Sequence, residues 1–205
     1  MSTPRPIRPG VEWARPDSSA PDGTVQGNDA ALAACVAQLR QHFDVPLVGW
    51  EPSSDAQLAR ALGLVPGAAS TGRSVLLDAM EVVGTLGESA TLAVNIVVVG
   101  TPPGRVRSWH RSALRVGDDR AWGVVVASGQ FREGVDVVPR GHPGDGRLEV
   151  QVYDVVAAQR AALRRRLRTG THVPHPSIRQ ATVTSARVEA RRPVGVEADG
   201  RVLGR

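Results

Sequence analysis

The valine-rich runs between residues 121 and 153 place the strongest constraint on how this chain can fold. Residues 124–127 are a continuous apolar run, residues 135–138 are valine apart from Asp136, and residues 147–154 alternate apolar with polar side chains. Runs of this kind, about ten residues apart and bounded by glycine and proline, are typical of successive antiparallel strands. The sequence therefore predicts a sheet built around this stretch.

The loop before the third run, residues 139–147, is rich in glycine and proline and carries His142 and Asp145. Glycine can take positive φ and proline restricts φ, so the loop is expected to be stiff and to hold both side chains in place. Spacing alone leaves two interpretations open, a functional loop and a plain turn.

Composition and charge limit the class of protein. Hydrophobic residues make up 41% and aromatic residues 3%, so we expect a core of valine, leucine and alanine. All 25 basic residues are arginine, and the net charge of +5 permits contact with anionic lipid or phosphate without requiring it. No nucleic-acid partner is expected. Neither a signal peptide nor a spanning helix is recognisable, which predicts a cytoplasmic protein and leaves peripheral membrane association open.

The chain divides into three parts. Residues 1–27 have no hydrophobic period and are interpreted as a disordered leader. Residues 28–66 predict a small α-β-α piece in which Asn28 and Asp29 cap the first helix. Its helices are expected over 30–42 and 56–62, the second capped by the turn Pro52-Ser53-Ser54-Asp55, and its strand over 45–50. The single cysteine, Cys35, is expected to be a buried core thiol in the first helix.

After a loop over 67–72, the sequence pattern changes to one that is typical of short strands. They are predicted over residues 74–83, 91–99, 111–116, 122–128, 135–138, 147–154, 178–190 and 194–197. The fold class is therefore α+β. A small α/β part over residues 28–72 is followed by a large antiparallel β-sandwich-like domain over residues 73–205 with one late helix.

The late helix, predicted over residues 155–168, has an apolar face and a basic face. The basic face carries Arg160, Arg164, Arg165, Arg166 and Arg168. Two interpretations are open: a solvated face on a helix that packs against the sheet, and an arginine strip that meets an anionic membrane surface.

The sequence contains none of the common motifs whose residue spacing by itself indicates a particular chemistry. No Walker A, GxGxxG, CxxC, HExxH or GxSxG pattern occurs. His172 and His175 lie three residues apart, but no neighbouring carboxylate or cysteine completes a metal site, so a structured loop is favoured there.

Five motifs nevertheless follow one another in a characteristic order. They are Gly129-Gln130-Phe131, the apolar run closing at Pro139, Asp145-Gly146-Arg147-Leu148-Glu149, Gly170-Thr171-His172-Val173-Pro174-His175-Pro176, and Asp199-Gly200-Arg201. This order resembles the C-terminal domain of the diacylglycerol kinase and bacterial lipid kinase family, which includes the sphingosine kinases. More weakly, Asn95 and the segment 45–63 extend the resemblance to about residues 45–205, so residues 28–72 resemble a shortened nucleotide-binding part.

The resemblance implies metal and catalytic positions. Asp145 matches a magnesium-linked acid of the family, and His142 stands where many members have an aspartate. Asp199 belongs to the family's terminal Asp-Gly-Glu turn and is the candidate catalytic residue. The glutamate of that turn, the family's general base, is Arg201 here, and an arginine cannot accept a proton from a lipid hydroxyl.

The resemblance also implies ATP-contacting positions. Asp22, Gly23 and Thr24 are interpreted as a remnant of the Gly-Gly-Asp-Gly-Thr phosphate loop, in which a proline replaces the second glycine. Ser53 and Ser54 align with the second phosphate element, Gly-Thr-Gly-Asn-Asp, but every glycine of that element is missing.

Phosphoryl transfer depends on positioned phosphates, a neutralising metal and an oriented hydroxyl, and these departures weaken all three. We therefore predict a diacylglycerol-kinase-like protein that is impaired in ATP-dependent transfer and acts as a lipid-binding or regulatory module. The alternative is an active lipid kinase that uses ATP and Mg²⁺ to phosphorylate diacylglycerol or a similar lipid alcohol. The expected partner is a lipid alcohol or an anionic membrane surface. A homodimer, and a partner chain that supplies the nucleotide domain, are left open.

Overall fold

The computed structural model describes residues 14–66, 73–84, 90–103 and 114–204, so predictions for residues 1–13, 67–72 and 111–113 lie outside it. The helices are α1 Asp29–Leu39, α2 Gln57–Ala61 and α3 Arg160–Leu167, the last preceded by a 3-10 turn at Ala157–Gln159. The first strands are β1 Arg15–Pro16, β2 Gly23–Gly27, β3 Val48–Pro52, β4 Arg73–Ser74, β5 Met80–Val82, β6 Thr91–Ala93, β7 Ile96–Gly100, β8 Leu114–Val116 and β9 Asp119–Ala121. The later strands are β10 Gly123–Ala127, β11 Phe131–Arg132, β12 Val135–Asp136, β13 Leu148–Tyr153, β14 Ile178–Val183, β15 Glu189–Ala190, β16 Val196–Ala198 and β17 Arg201–Gly204.

A six-stranded antiparallel sheet forms the centre of the molecule, in the order β14-β13-β10-β7-β16-β17. Strand β10 is fully enclosed, because Val125 and Ala127 contribute to one hydrophobic cluster while Val124 contributes to a second cluster. A strand that is buried on both faces needs a continuous apolar run, which is the pattern that residues 124–127 have. The predicted α+β class, with a large antiparallel part and one late helix, is confirmed.

Helix α3 covers one face of the sheet. Leu163 and Leu167 are buried in the cluster that contains Val125, Trp122 and Tyr153. The two leucines are four residues apart and lie on one side of the helix, which leaves the intervening arginines on the other side. The helix is shorter than predicted, because residues 157–159 form a 3-10 turn.

The small α/β part contains one parallel strand pair, β2 with β3, and helix α1 connects the two strands. Strand β2 lies inside the range expected to be a disordered leader, so that expectation is wrong for residues 23–27. The cause is that Val25 packs against the cluster formed by Leu32, Leu58 and other residues of this part. A single half-buried valine between polar residues was too weak a signal for a strand.

Caps and burial in the small part agree only partly with prediction. The Asn28 side chain accepts a hydrogen bond from the backbone N–H of Ala31 and caps α1, as expected. The expected cap of α2 is wrong, because Ala56 occupies that position and Asp55 bonds elsewhere. Cys35 is half-buried rather than fully buried.

Several predicted strands are broken in the structure. Val137 and Val138 leave the β11–β12 hairpin, because both backbone N–H groups bond the carbonyl oxygen of Gln130 and both side chains enter the core. The predicted strand 91–99 is interrupted between β6 and β7, and the predicted strand 178–190 divides into β14 and β15, which belong to different sheets. Of the predicted strand 74–83, only residues 74 and 80–82 are extended in β4 and β5.

Helix α2 joins the small part to the sheet domain. The Arg60 guanidinium donates to the carbonyl oxygen of Gly134 at 2.9 Å and lies 4.4 Å from the ring centroid of Phe131. The Gln57 side chain accepts from the N–H of Gly134 at 2.8 Å. These contacts fix α2 against the β11–β12 hairpin. Within the residues that the structure describes, no helix is long and apolar enough to cross a membrane.

Candidate functional site

The carboxyl ends of β2 and β3 form the crevice in which a parallel strand pair would hold a phosphate. Side chains of the chain itself form hydrogen bonds with one another at this edge. The Asp55 carboxylate accepts hydrogen bonds from the Ser53 hydroxyl at 2.5 Å and from the Asn28 side-chain amide at 3.1 Å. These bonds, that of Ser53 first, hold the pKa of Asp55 below its usual range. A permanent negative charge therefore occupies this edge.

The first predicted phosphate element lies at the opposite end of β2. Asp22 precedes the strand, where its carboxylate accepts from the N–H of Leu47 at 2.7 Å, and Gly23 and Thr24 begin the strand itself. The length of β2 separates them from Ser53 and Ser54 by about 13 Å. The structure does not bring the two predicted ATP-contacting elements together.

A buried polar junction lies beside this crevice, and Asp29 is its centre. Both Asp29 oxygens accept from the N–H of Leu58 at 3.0 Å, and one also accepts from the Asn95 side-chain amide at 2.7 Å. The Asn95 amide further donates to the carbonyl oxygen of Phe131 at 3.1 Å. Burial raises the pKa of Asp29 to about 6, against the opposing effect of these donors. The junction connects α1 and α2 to the sheet domain.

Asp29 was predicted only as a helix cap, so sequence reasoning missed its role at this junction. Asn95 was noted only through the resemblance. The available signal in the sequence was an aspartate directly after the capping Asn28. In the structure the side chain of this aspartate is buried.

Asp199, the candidate catalytic residue, is part of the same region but is used as a backbone clamp. Its two carboxylate oxygens accept from three consecutive N–H groups, those of Val94, Asn95 and Ile96, at 2.8 to 3.0 Å. Burial raises its pKa, and these donors oppose the shift. The clamp explains why β6 and β7 are separate strands, since residues 94–96 bond to Asp199.

Arg201 lies two residues beyond Asp199, at the start of β17, and its side chain is exposed. With Ala33, Ala37 and Gln38 of α1 it lines a cavity of about 380 Å³. A guanidinium at this position supplies positive charge and hydrogen-bond donors, and no proton acceptor.

The loop 139–147 is stiff, as predicted, and it is held by a residue that the prediction missed. The Asp78 carboxylate accepts from the N–H of Gly146 at 3.0 and 3.2 Å, and the N–H of Asp78 donates to Pro143 at 2.9 Å. The Asp145 carboxylate accepts from the N–H of Arg147 at 2.9 Å. Burial raises the pKa of Asp78, and the nearby charge of Asp145 adds to the shift.

These residues do not form a fitted magnesium site. Mg²⁺ prefers several oxygen ligands in near-octahedral geometry. The carboxylates of Asp145 and Asp78 each accept a hydrogen bond from a backbone N–H group, and His142 is exposed. Among the residues that the structure describes, no group of three or more His, Cys, Asp or Glu side chains is arranged to hold a metal ion.

The basic face of α3 is the most strongly charged surface among the described residues. Arg164, Arg165, Arg166 and Arg168 are exposed, and none of them has an acidic partner in the described part of the chain. Arg160 does not belong to this strip, because its guanidinium stacks on Trp122 with 4.5 Å to the ring centroid. We call the four exposed residues the α3 arginine strip.

The two histidines of the segment 170–176 have different environments. His172 is completely buried, and burial lowers its pKa to about 4, so it is neutral at physiological pH. His175 is half-buried, and its Nδ1 accepts from the N–H of Ser177 at 3.0 Å. The structured loop predicted for this segment is what the structure has, and no metal site forms there among the described residues.

Comparison with known structures shows that the fold resembles that of proteins described as diacylglycerol kinases. Two solved structures of Bacillus anthracis strain Sterne proteins, both described as diacylglycerol kinases, match with TM-scores of 0.65 and 0.64 at 16% and 15% identity. The match covers 87% of this chain and 69% and 71% of theirs. At this identity the likeness shows the fold. No curated protein matches.

The family is given by a model described as the YegS C-terminal NAD kinase beta sandwich-like domain, which matches residues 115–205. Residues 115–205 are therefore similar to this C-terminal domain, and the resemblance stated from the sequence motifs is confirmed over these residues.

Proposed function

We propose that this protein is a lipid-kinase-like module that binds anionic membrane surfaces and does not transfer phosphate from ATP. The observation that carries the proposal is the hydrogen-bonded group of side chains at the carboxyl ends of β2 and β3. There, Asp55 takes the Ser53 hydroxyl and the Asn28 amide, the groups that would otherwise be free to donate to a phosphate. An ionised carboxylate at that edge repels a triphosphate.

The α3 arginine strip supports the lipid-binding half of the proposal. Each arginine close to an anionic membrane contributes about 1 kcal/mol to binding, and the contribution falls with salt. Four exposed arginines around the helix make a surface of the right sign, and buried Leu163 and Leu167 pack the helix against the sheet.

Calorimetry with Mg²⁺ and ATP tests the first half. We expect no saturable heat and no thermal shift, since a ligand that binds the folded state would raise its stability. Saturable binding would overturn the proposal.

Vesicle sedimentation tests the second half. We expect binding to vesicles that contain phosphatidylglycerol, weakening as salt is raised from about 50 to about 300 mM, over which the Debye length falls about 2.4-fold. Replacing Arg164, Arg165 and Arg168 together by Gln should abolish it. A matched variant in which Arg120, Arg187 and Arg191, exposed arginines outside α3, are replaced by Gln has the same net charge and should retain it.

The active-kinase alternative draws on one observation, the closeness of Asp78 to Asp145 in the loop 139–147. It requires ATP turnover that depends on a lipid alcohol and that disappears in Asp145→Ala. The module proposed here gives no phospholipid product with any lipid alcohol.

A further inference from the structure

The amino end of α3 borders a small recess that contains Arg166 of the α3 arginine strip together with polar and apolar side chains outside the strip. The recess has a volume of about 160 Å³ and is lined by Gln159, Ala162, Leu163, Arg166 and His175. At about 30 Å³ for each water it has room for roughly five waters, enough for one phosphate group. No carboxylate contributes to its lining.

The hydrogen bond from Ser177 defines what His175 offers to this recess. Because Nδ1 accepts from the N–H of Ser177 at 3.0 Å, the neutral imidazole carries its proton on Nε2. Nε2 is therefore a donor. A second hydrogen bond stabilises the same turn: the N–H of Ile178 donates to the carbonyl oxygen of His175 at 3.0 Å. His175 is thus a positioned donor.

Arg166 and Gln159 complete a set of three donors. The Arg166 guanidinium has no ion-pair partner in the described part of the chain, and it lies one helical turn beyond Ala162, whose short side chain leaves the recess open. The Gln159 amide supplies two further N–H groups. A cavity with imidazole, guanidinium and amide donors, and no acid, suits a tetrahedral anion.

We propose that this recess binds the phosphomonoester headgroup of a membrane lipid, while the α3 arginine strip holds the surrounding anionic surface. This inference rests on the proposed function, and it adds the headgroup class. A phosphomonoester carries about −1.5 to −2 charges near neutral pH and has three terminal oxygens to accept the donors. A phosphodiester headgroup carries one charge and presents two such oxygens, so it offers the three donors less negative charge and fewer acceptor atoms.

The test compares two vesicle compositions at equal zeta potential, one containing phosphatidic acid and one containing phosphatidylglycerol. Matching the potential removes the contribution of the strip. We expect the wild-type protein to bind the phosphatidic acid vesicles about fivefold more tightly, as one additional charge-assisted contact allows. A ratio of one would overturn the inference and leave the proposed function standing, whereas failure to bind either vesicle would refute the proposed function itself.

Two substitutions locate the preference. In His175→Asn the Asn oxygen replaces Nδ1 as acceptor for Ser177, so the turn is kept while the Nε2 donor is lost. Arg166→Gln removes an exposed guanidinium. Each should bring the ratio close to one, and circular dichroism confirms that each variant is folded. A ratio that survives both substitutions contradicts the assignment.

Arg165→Gln is the matched control, because Arg165 is the next residue, is exposed, and does not line the recess. It should weaken binding to both vesicles equally and leave the ratio unchanged. Soluble glycerol 3-phosphate distinguishes a lipid from a free phosphomonoester. If it displaces the protein at concentrations at which sulfate does not, the ligand is soluble and the lipid assignment is wrong.

Discussion

The buried carboxylate of Asp29 makes a specific prediction about the dependence of stability on pH. Burial raises its pKa from 3.8 to about 6 in the folded protein, although Leu58 and Asn95 donate hydrogen bonds to it. Between these two pH values the folded protein keeps a proton that the unfolded chain has lost. The free energy of unfolding therefore falls as the pH rises through this window.

The size of the effect follows from the size of the shift. A difference of about two pKa units corresponds to about 3 kcal/mol. The contribution of Asp29 is most favourable below pH 4, where the residue is protonated in both states, and it is fully lost above pH 6 to 7. The contribution of Asp29 alone should therefore make the wild-type protein less stable at pH 7.5 than at pH 4.5 by about 2 kcal/mol, because about a third of the effect has already occurred at pH 4.5.

Asp29→Asn isolates this contribution. The Asn oxygen can still accept from Leu58, and the side chain does not titrate. Urea unfolding of both proteins from pH 4 to 7.5 gives the difference between their unfolding free energies, in which the other acids largely cancel. We expect that difference, wild type minus variant, to fall by about 3 kcal/mol, with most of the change below pH 6. A flat difference refutes the reasoning, and a rising one would show that the donors outweigh burial.

Two further substitutions test the same region by urea unfolding. Asp199→Ala deprives three backbone N–H groups of their acceptor and should cost about 3 kcal/mol, whereas Arg201→Ala, an exposed position, should change stability by less than about 0.5 kcal/mol. Similar small effects for both would contradict the clamp. Gly129→Ala should cost about 3 kcal/mol, because a Cβ there would lie 2.0 Å from Asn95 Oδ1. Gly195→Ala, where a Cβ meets nothing within 4 Å, is its control, and equal losses would argue against the close contact.

Much of the sheet domain could be predicted from the sequence, because burial on both faces leaves a direct trace. The run 124–127 became the central strand β10, and residues 147–154 became β13 with little change in bounds. The α3 helix was located by its two buried leucines. The local sequence pattern was sufficient to predict an element when its backbone hydrogen bonds lie within regular secondary structure and when one continuous side of it is buried.

Prediction was poorest where backbone groups bond to distant side chains. The break between β6 and β7 depends on Asp199, which lies over a hundred residues further along the chain. The stiffness of the loop 139–147 depends on Asp78, which no local pattern distinguishes from a surface acid. No sequence window contains both members of either pair.

The sequence by itself determined the class of this protein. Its valine runs favour an enclosed antiparallel sheet, and the order of its C-terminal motifs resembles that of a lipid kinase domain, in agreement with the family model that matches residues 115–205. Only the tertiary structure decided how the candidate site residues are used. Asp199 clamps a backbone turn, Asp145 caps its own loop, and Asp55 accepts hydrogen bonds at the carboxyl ends of β2 and β3. A carboxylate is an acceptor in every fold, and the donors that fold around it determine whether it holds a ligand or the chain itself.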